Sequence, residues 1–230
     1  AATQLNITDS DGNGIGLGDT AVGGFQLSGA ELQLLTATGM ELITAGAMTV
    51  NGISAANSNN VTNLVIDAVG AITFATGAST FNNLTVQSDA AVNANVNITT
   101  DTGALAIDAD ADNGTAGLLT VAAGVTLTSA AGITLDATTQ GITFTAAGTL
   151  NAVNGVTIND AVTATGGTLT IDADTDNNGT GTFTTAATGT INSSGQTLDI
   201  TAGDVVIGAA VTAATQLNIT DSDGNGIGLG

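Results

Sequence analysis

The sequence predicts an all-β chain wound as a parallel β-solenoid. Three observations carry that prediction: apolar residues recur with a period of two, the spacers are rich in turn formers, and the chain resembles itself at several offsets.

Taken in order, Leu5-Asn-Ile7, Ile15-Gly-Leu17 and Phe25-Gln-Leu27 alternate apolar and polar positions, as a half-buried strand requires. Met40-Glu-Leu42, Met48-Thr-Val50, Ile72-Thr-Phe74, Leu84-Thr-Val86 and Leu105-Ala-Ile107 repeat the pattern. It continues through Val125-Thr-Leu127, Ile133-Thr-Leu135, Ile142-Thr-Phe144, Val156-Thr-Ile158 and Leu169-Thr-Ile171 to Leu198-Asp-Ile200 and Val205-Val-Ile207. Between these triplets stand Gly, Asn, Asp, Ala and Ser, which turn the chain and leave little room for helices. Strands so short are unstable singly. About three of them in a coil of roughly 20 to 24 residues could each pair with its equivalent one coil on, at about 4.8 Å.

The stretch from Gly103, GALAIDADADNGTAGLLTVAAGVTLTS, resembles the stretch from Gly167, GTLTIDADTDNNGTGTFTTAATGTINS, an offset that three such coils would fill. At the largest scale, residues 213–230 repeat residues 1–18, AATQLNITDSDGNGIGLG, without a substitution. The expectation is therefore a tandem array of period 212, with 1–212 as one unit of nine or ten coils and 213–230 as the start of the next. An antiparallel sandwich could use strands of similar length, but its core draws on large aromatics, and this chain has five Phe and no Trp or Tyr.

The chain carries 18 Asp, 2 Glu and no Lys, Arg or His, for a net charge of −20. No side chain can displace counterions from phosphates, which excludes nucleic acid as a partner, and anionic membrane surfaces are disfavoured for the same reason. Apolar runs are too short for membrane insertion. The imidazole, thiol, amine and phenol groups of most enzymes are missing, and a carboxylate pair acting on sugars would lack aromatic platforms. The expectation is a protein without catalysis, needing no cofactor.

Three acidic loops are the candidate sites: Asp9, Asp11 and Asn13; Asp108, Asp110 and Asp112; and Asp172, Asp174 and Asp176, with Asp221 and Asp223 repeating the first. Oxygen ligands at positions one, three and five are how Ca2+ loops present carboxylates to a hard cation. The twelfth position, where an EF-hand has Glu, holds Thr20, Leu119 and Phe183. The same residue types also close turns by bonding their own backbone, so turn and calcium readings stand side by side. Thr-x-Thr steps such as Thr143-Phe-Thr145 point hydroxyls outward, the raw material of an ice-binding face, although their irregular spacing argues against a flat rank.

In runs such as GTLTIDADTDNNGTGTF and AAGVTLTSAAGITLDA, the chain resembles the giant repetitive surface and secreted proteins of bacteria, the filamentous-haemagglutinin-like or β-strand-repeat adhesin stalks. That resemblance implies export to the cell surface or beyond and service as a structural repeat of a fibre or stalk, with neighbouring repeats and cell surfaces as partners. Two alternatives accompany it: a solenoid face that binds glycans or cells, and a subunit of one such period that self-assembles by exchanging an end strand.

Overall fold

The computed structural model describes residues 2–213 and 215–226. Ala1, Ala214 and 227–230, parts of the two copies of the repeated stretch, lie outside the described residues.

Each turn of the chain runs along three sides, with strands on all three from the third turn on. The first turn holds β1 (Ala2–Asp9), β2 (Ile15–Leu17), β3 (Phe25–Leu27) and the single-turn helix α1 (Gly29–Leu32). The second holds β4 (Ala37–Thr44), β5 (Met48–Val50) and α2 (Ala55–Ser58). Then come β6 (Val61–Ala68), β7 (Ile72–Phe74) and β8 (Ser79–Phe81), followed by β9 (Leu84–Ser88), β10 (Ala91–Ala94) and β11 (Ile98–Thr100). The next two turns are β12 (Leu105–Asp108), β13 (Leu118–Val121) and β14 (Thr126–Ser129), and β15 (Ile133–Asp136), β16 (Ile142–Phe144) and β17 (Gly148–Ala152). Then follow β18 (Val156–Ile158), β19 (Val162–Ala164) and β20 (Leu169–Asp172), and β21 (Thr182–Thr185), β22 (Ile191–Asn192) and β23 (Thr197–Ala202). The last is β24 (Asp204–Ile207), β25 (Val211–Thr212) and β26 (Gln216–Asp221).

All pairings are parallel and, save one, connect equivalent strands of successive turns. Sheet A runs β1-β4-β6-β9-β12-β15-β18-β21-β24, sheet C runs β8-β11-β14-β17-β20-β23-β26, and sheet B joins the middle strands. The exception is at the end of sheet B, where β3 folds back on the outer edge of β2. At the strand spacing, the nine strands of sheet A span about 38 Å. The fold is the expected β-solenoid, and its nine strands in sheet A bound about eight full turns. Corner insertions make the turns unequal in length: the ladder advances 20 residues from Asn63 to Asn83 but 35 from Asn6 to Glu41.

Two short helices replace the third strand at the start, where little room for helices was expected. Both begin with capping boxes, Ser28 with Glu31 and Ser54 with Asn57, which satisfy the amide groups that a single turn leaves open. They pack in line with β8.

The core is one continuous column. In sheet A, Leu42, Ile66, Val86, Ile107, Leu135 and Ile158 stack in register and are buried. In sheet B, Phe74 is followed by Ala94 and Phe144 by Ala164, so each ring is relieved by a methyl in the next layer. Phe144 also leans over Gly148, where a Cβ would meet its ring at 2.4 Å. Hydroxyls fill the inward corner positions: Thr100 Oγ1 donates to Gly103 O at 2.7 Å, and Ser129 Oγ bonds Gly103 O and Gly132 O at 2.9 and 3.0 Å. These bonds satisfy hydroxyls that are themselves buried.

Candidate functional site: the acidic corners, the threonine files and the open ends

The acidic loops sit where the chain leaves sheet A or sheet C and turns the corner. In the first, Asp9 ends β1 with its side chain inward, and its Oδ2 accepts the Gly14 amide at 2.8 Å and the Thr44 hydroxyl at 2.7 Å. Asp11 closes the tip, accepting the Asn13 amide at 3.1 Å and its Nδ2 at 2.7 Å. Gly12 and Gly14 have φ of +73° and +90°, and a Cβ on Gly14 would lie 2.4 Å from Ala47 O.

The same device recurs in Asp174-Thr-Asp176-Asn-Asn178-Gly179: the Gly179 amide donates to Asp174 at 2.8 Å, and Asn178 Nδ2 to Asp176 at 2.7 Å. It recurs in Asp221-Ser-Asp223-Gly-Asn225-Gly226, with Gly226 donating to Asp221. A shortened form closes Gly114 onto Asp110 and Asp112 at 3.0 and 2.9 Å. The turn thus begins at Asp110 and Asp174, two residues after the Asp108 and Asp172 that open the loops read from sequence. Those two end β12 and β20 and receive the amides of Asp110 and Asp174 at 3.0 and 3.2 Å.

The candidate ligands do not converge on one centre. Asp9 and Asp108 to Asp112 lie at the corner after sheet A; Asp172 to Asp176, Asp221 and Asp223 lie at the corner after sheet C. There the Ser222 hydroxyl donates to Asp174 Oδ2, and Asp223 lies over Gly179, while Asp174 Oδ1 is buried without a hydrogen-bond partner. Among the described residues, no three acidic groups are placed to hold one metal ion. Most of these carboxylates face backbone amides of their own turn.

Sequence reasoning missed the groove of about 510 Å³ beside the sheet A corner, lined by Asp9, Asp67, Asp89, Asp112, Thr44 and Gln87. Only the register reveals it, because Asp67, Gln87, Asp108 and Asp136 come from four turns and stand in one file. Burial, then the Glu41 charge, pushes Asp67 above the ordinary carboxylate range. Burial, then the charges of Asp112, Asp67 and Asp110, does the same for Asp89. Asp108 and Asp160 are raised mainly by burial, each with Asp136 adding to the effect. Asp9 is held down to about 2, first by its hydrogen bond with the Asp11 side chain, then by the Thr44 hydroxyl. Burial works against Asp174, but the Ser222 hydroxyl and Gly179 amide outweigh it and lower its pKa. With no cationic side chain in the sequence, the groove can draw only outside cations to its stacked charges.

The faces are files of hydroxyls. Thr49, Thr73, Asn93, Thr120, Thr143 and Thr163 stand in register on sheet B, half-exposed. The irregular sequence spacing is absorbed by the corners, so it does not prevent a straight single file. Phe74, Phe81, Phe144 and Phe183 are buried, which leaves Phe25 as the one exposed ring.

Both ends of the column are open. Val22, Phe25 and Leu34 are exposed at the end bearing β1 and β3. Val206, Ile207, Leu217 and Ile219 are exposed at the end bearing β24 and β26. No helix among the described residues is long and apolar enough to cross a membrane. No protein-family model, curated protein or solved structure matches the chain.

Proposed function

We propose that the chain is a structural segment of a fibre: one unit of a tandem array of period 212, serving without catalysis as the stalk of an extracellular or cell-surface bacterial protein. The observation that carries this reading is the continuous column, in which strands of the interior turns, β8 against α2 excepted, are paired on both sides and the apolar core is left open at the two ends. Such a body transmits load through backbone hydrogen bonds along its axis, and it gains length by adding turns. The resemblance to bacterial adhesin stalks supports the extracellular assignment, and the high negative charge suits a long fibre that must stay soluble.

The test is the size of the polypeptide in its source. A denaturing gel probed with an antibody to this segment is expected to show a species many times the 22.0 kDa of the segment itself. A band near 22.0 kDa overturns the covalent array.

The threonine files support a second reading, in which one face binds an ordered surface such as ice or a crystalline glycan. Thermal hysteresis, or pull-down on insoluble polysaccharide, checks it; neither effect at high protein concentration removes it.

A further inference from the structure

An Asn-Gly step is where a chain most readily loses an asparagine amide, because glycine has no Cβ to hinder its nitrogen from attacking the neighbouring side-chain carbonyl. The sequence holds six: Asn13-Gly14, Asn51-Gly52, Asn113-Gly114, Asn154-Gly155, Asn178-Gly179 and Asn225-Gly226. The reaction needs a glycine N–H free to lose its proton and an asparagine Cγ free to swing onto it.

In five of the six, the fold holds both groups. The amides of Gly14, Gly114 and Gly179 donate to the carboxylates of Asp9, Asp110 and Asp174 at 2.8, 3.0 and 2.8 Å, and Gly226 donates to Asp221. The Gly52 amide donates to Gly77 O at 3.1 Å. The asparagines are tied as well. Asn13, Asn178 and Asn225 donate Nδ2 to Asp11, Asp176 and Asp223. Asn113 Oδ1 accepts the Thr138 hydroxyl at 3.0 Å, and buried Asn51 bonds Asp19 O and the Gly77 amide. A carboxylate on a glycine amide opposes the reaction twice: it occupies the hydrogen, and it sets a negative charge where the amide would have to become an anion.

Asn154-Gly155 has neither restraint. It turns the corner from β17 to β18, with Asn154 exposed. Among the described residues, neither the Gly155 amide nor the Asn154 side chain makes a hydrogen bond. Packing keeps glycine in place there, since φ at Gly155 is +115° and a Cβ would lie 2.7 Å from Thr182 O.

We propose that Asn154 is this chain's site of spontaneous deamidation, and that the turn carboxylates shield the Asn-Gly steps of the acidic corners. Gly155 N gives its proton to solvent base and bonds to Asn154 Cγ; the Cγ–Nδ2 bond breaks and ammonia leaves, closing a succinimide ring. Water then opens the ring. Cleavage at Cγ leaves aspartate, whereas cleavage at the main-chain carbonyl leaves isoaspartate, whose backbone runs through the side chain and gains a methylene. That methylene falls between two bonds of the corner, Asn154 N to Ala131 O at 2.8 Å and Ile133 N to Gly155 O at 3.0 Å. The isoaspartyl form therefore strains one of these bonds or the pairing of β15 with β18. The assignment is independent of the fibre reading, since it concerns one corner of the folded chain.

The test incubates the folded chain at mildly alkaline pH beside the same chain unfolded in urea. Each Asn-Gly step is followed by peptide mass spectrometry after elastase digestion, because the sequence has no Lys or Arg for trypsin. Unfolded, the six steps are expected to react at similar rates. Folded, Asn154 is expected to react faster than Asn13, Asn113 and Asn178 by about tenfold or more, the factor set by breaking one charge-assisted hydrogen bond. Asp174→Asn, which removes the charge and keeps the shape, is expected to speed Asn178 and leave Asn154 unchanged; Asp9→Asn, read at Asn13, replaces it if that variant does not fold. No loss at Asn154 in the folded chain over a time that consumes the unfolded one overturns the assignment. So does loss at Asn13, Asn113 or Asn178 as fast as at Asn154. An unchanged rate beside the substituted carboxylate in a folded variant overturns the shielding.

Discussion

Gly179 donates its backbone amide to the Asp174 carboxylate at 2.8 Å, and Gly14 does the same to Asp9 at the same distance. One six-residue device therefore turns corners after two different sheets. It needs a carboxylate to gather the amide, and left-handed backbone at its fourth and sixth positions, where φ is +73° and +90° at Gly12 and Gly14, and +54° and +80° at Asn177 and Gly179.

Gly14→Ala is expected to destabilise the solenoid by about 1–3 kcal/mol, the cost of a strained backbone position. The new Cβ would also press on Ala47 O. Gly124 shares a positive φ of +74° but has nothing within 4 Å of a Cβ, so Gly124→Ala should cost less. Thermal or urea unfolding of the two variants makes the comparison, and equal losses would show that the contact at Gly14 contributes nothing.

Phe144→Ala should cost about 3–5 kcal/mol, because the ring is fully enclosed in the column. Gly148→Ala alone should also destabilise, since its Cβ would strike that ring. Combined with Phe144→Leu, its effect should shrink. A double-mutant cycle measures the coupling, expected at about 0.5–3 kcal/mol between contacting residues, and strict additivity would separate the two sites.

Stability should rise on mild acidification. Asp67, Asp89, Asp108 and Asp160 have pKa values raised above that of the unfolded chain, so the folded state binds protons more readily. Their penalty is present at neutral pH and is relieved as pH falls through the raised values towards about 4. Asp9 has the opposite sign: its contribution is present above the ordinary carboxylate pKa and is lost as pH falls through about 2. Melting temperatures across this range should therefore pass through a maximum near pH 4. A steady decline from neutrality downward contradicts the raised groups.

Chelator is expected to leave the melting temperature unchanged, because the turn carboxylates already face amides and hydroxyls and no three acids share one centre among the described residues. Added NaCl should raise it by screening the acidic file, equally with or without chelator. A drop on removing Ca2+, reversed by Ca2+ but not by Na+, would instead establish a specific calcium site at these turns.

Much of the column was legible in the sequence, and its gaps follow from one physical cause. Each apolar triplet from Leu5-Asn-Ile7 to Val205-Val-Ile207 lies in or against a strand. The strands without a triplet, such as β8, β10 and β19, place Ser79, Ala94 and Ala164 inward. A narrow lumen accepts such small residues beside a large neighbour, and they leave no hydrophobic signature. The helices α1 and α2 depend on two short capping boxes that a period-two reading passes over. At the acidic loops the residues were found but the frame was two positions early at Asp108 and Asp172, because strand-ending and turn-closing Asp look alike until the amide partner is known.

The sequence by itself determined the alternation, the three-sided winding, the absence of cationic side chains and the identity of the strands at Gln4–Asp9 and Gln216–Asp221. These are properties of local pattern and composition, which hold wherever the chain goes. Only the tertiary structure decided which residues share a file: that Asp67 stands in line with Asp108, that threonines of unequal spacing form a straight row, and that one strand sequence serves sheet A at one end and sheet C at the other. The reason lies in the corners. Each adds a different number of residues, so the position around the column is set by the running sum of corner lengths, a quantity that no single segment contains.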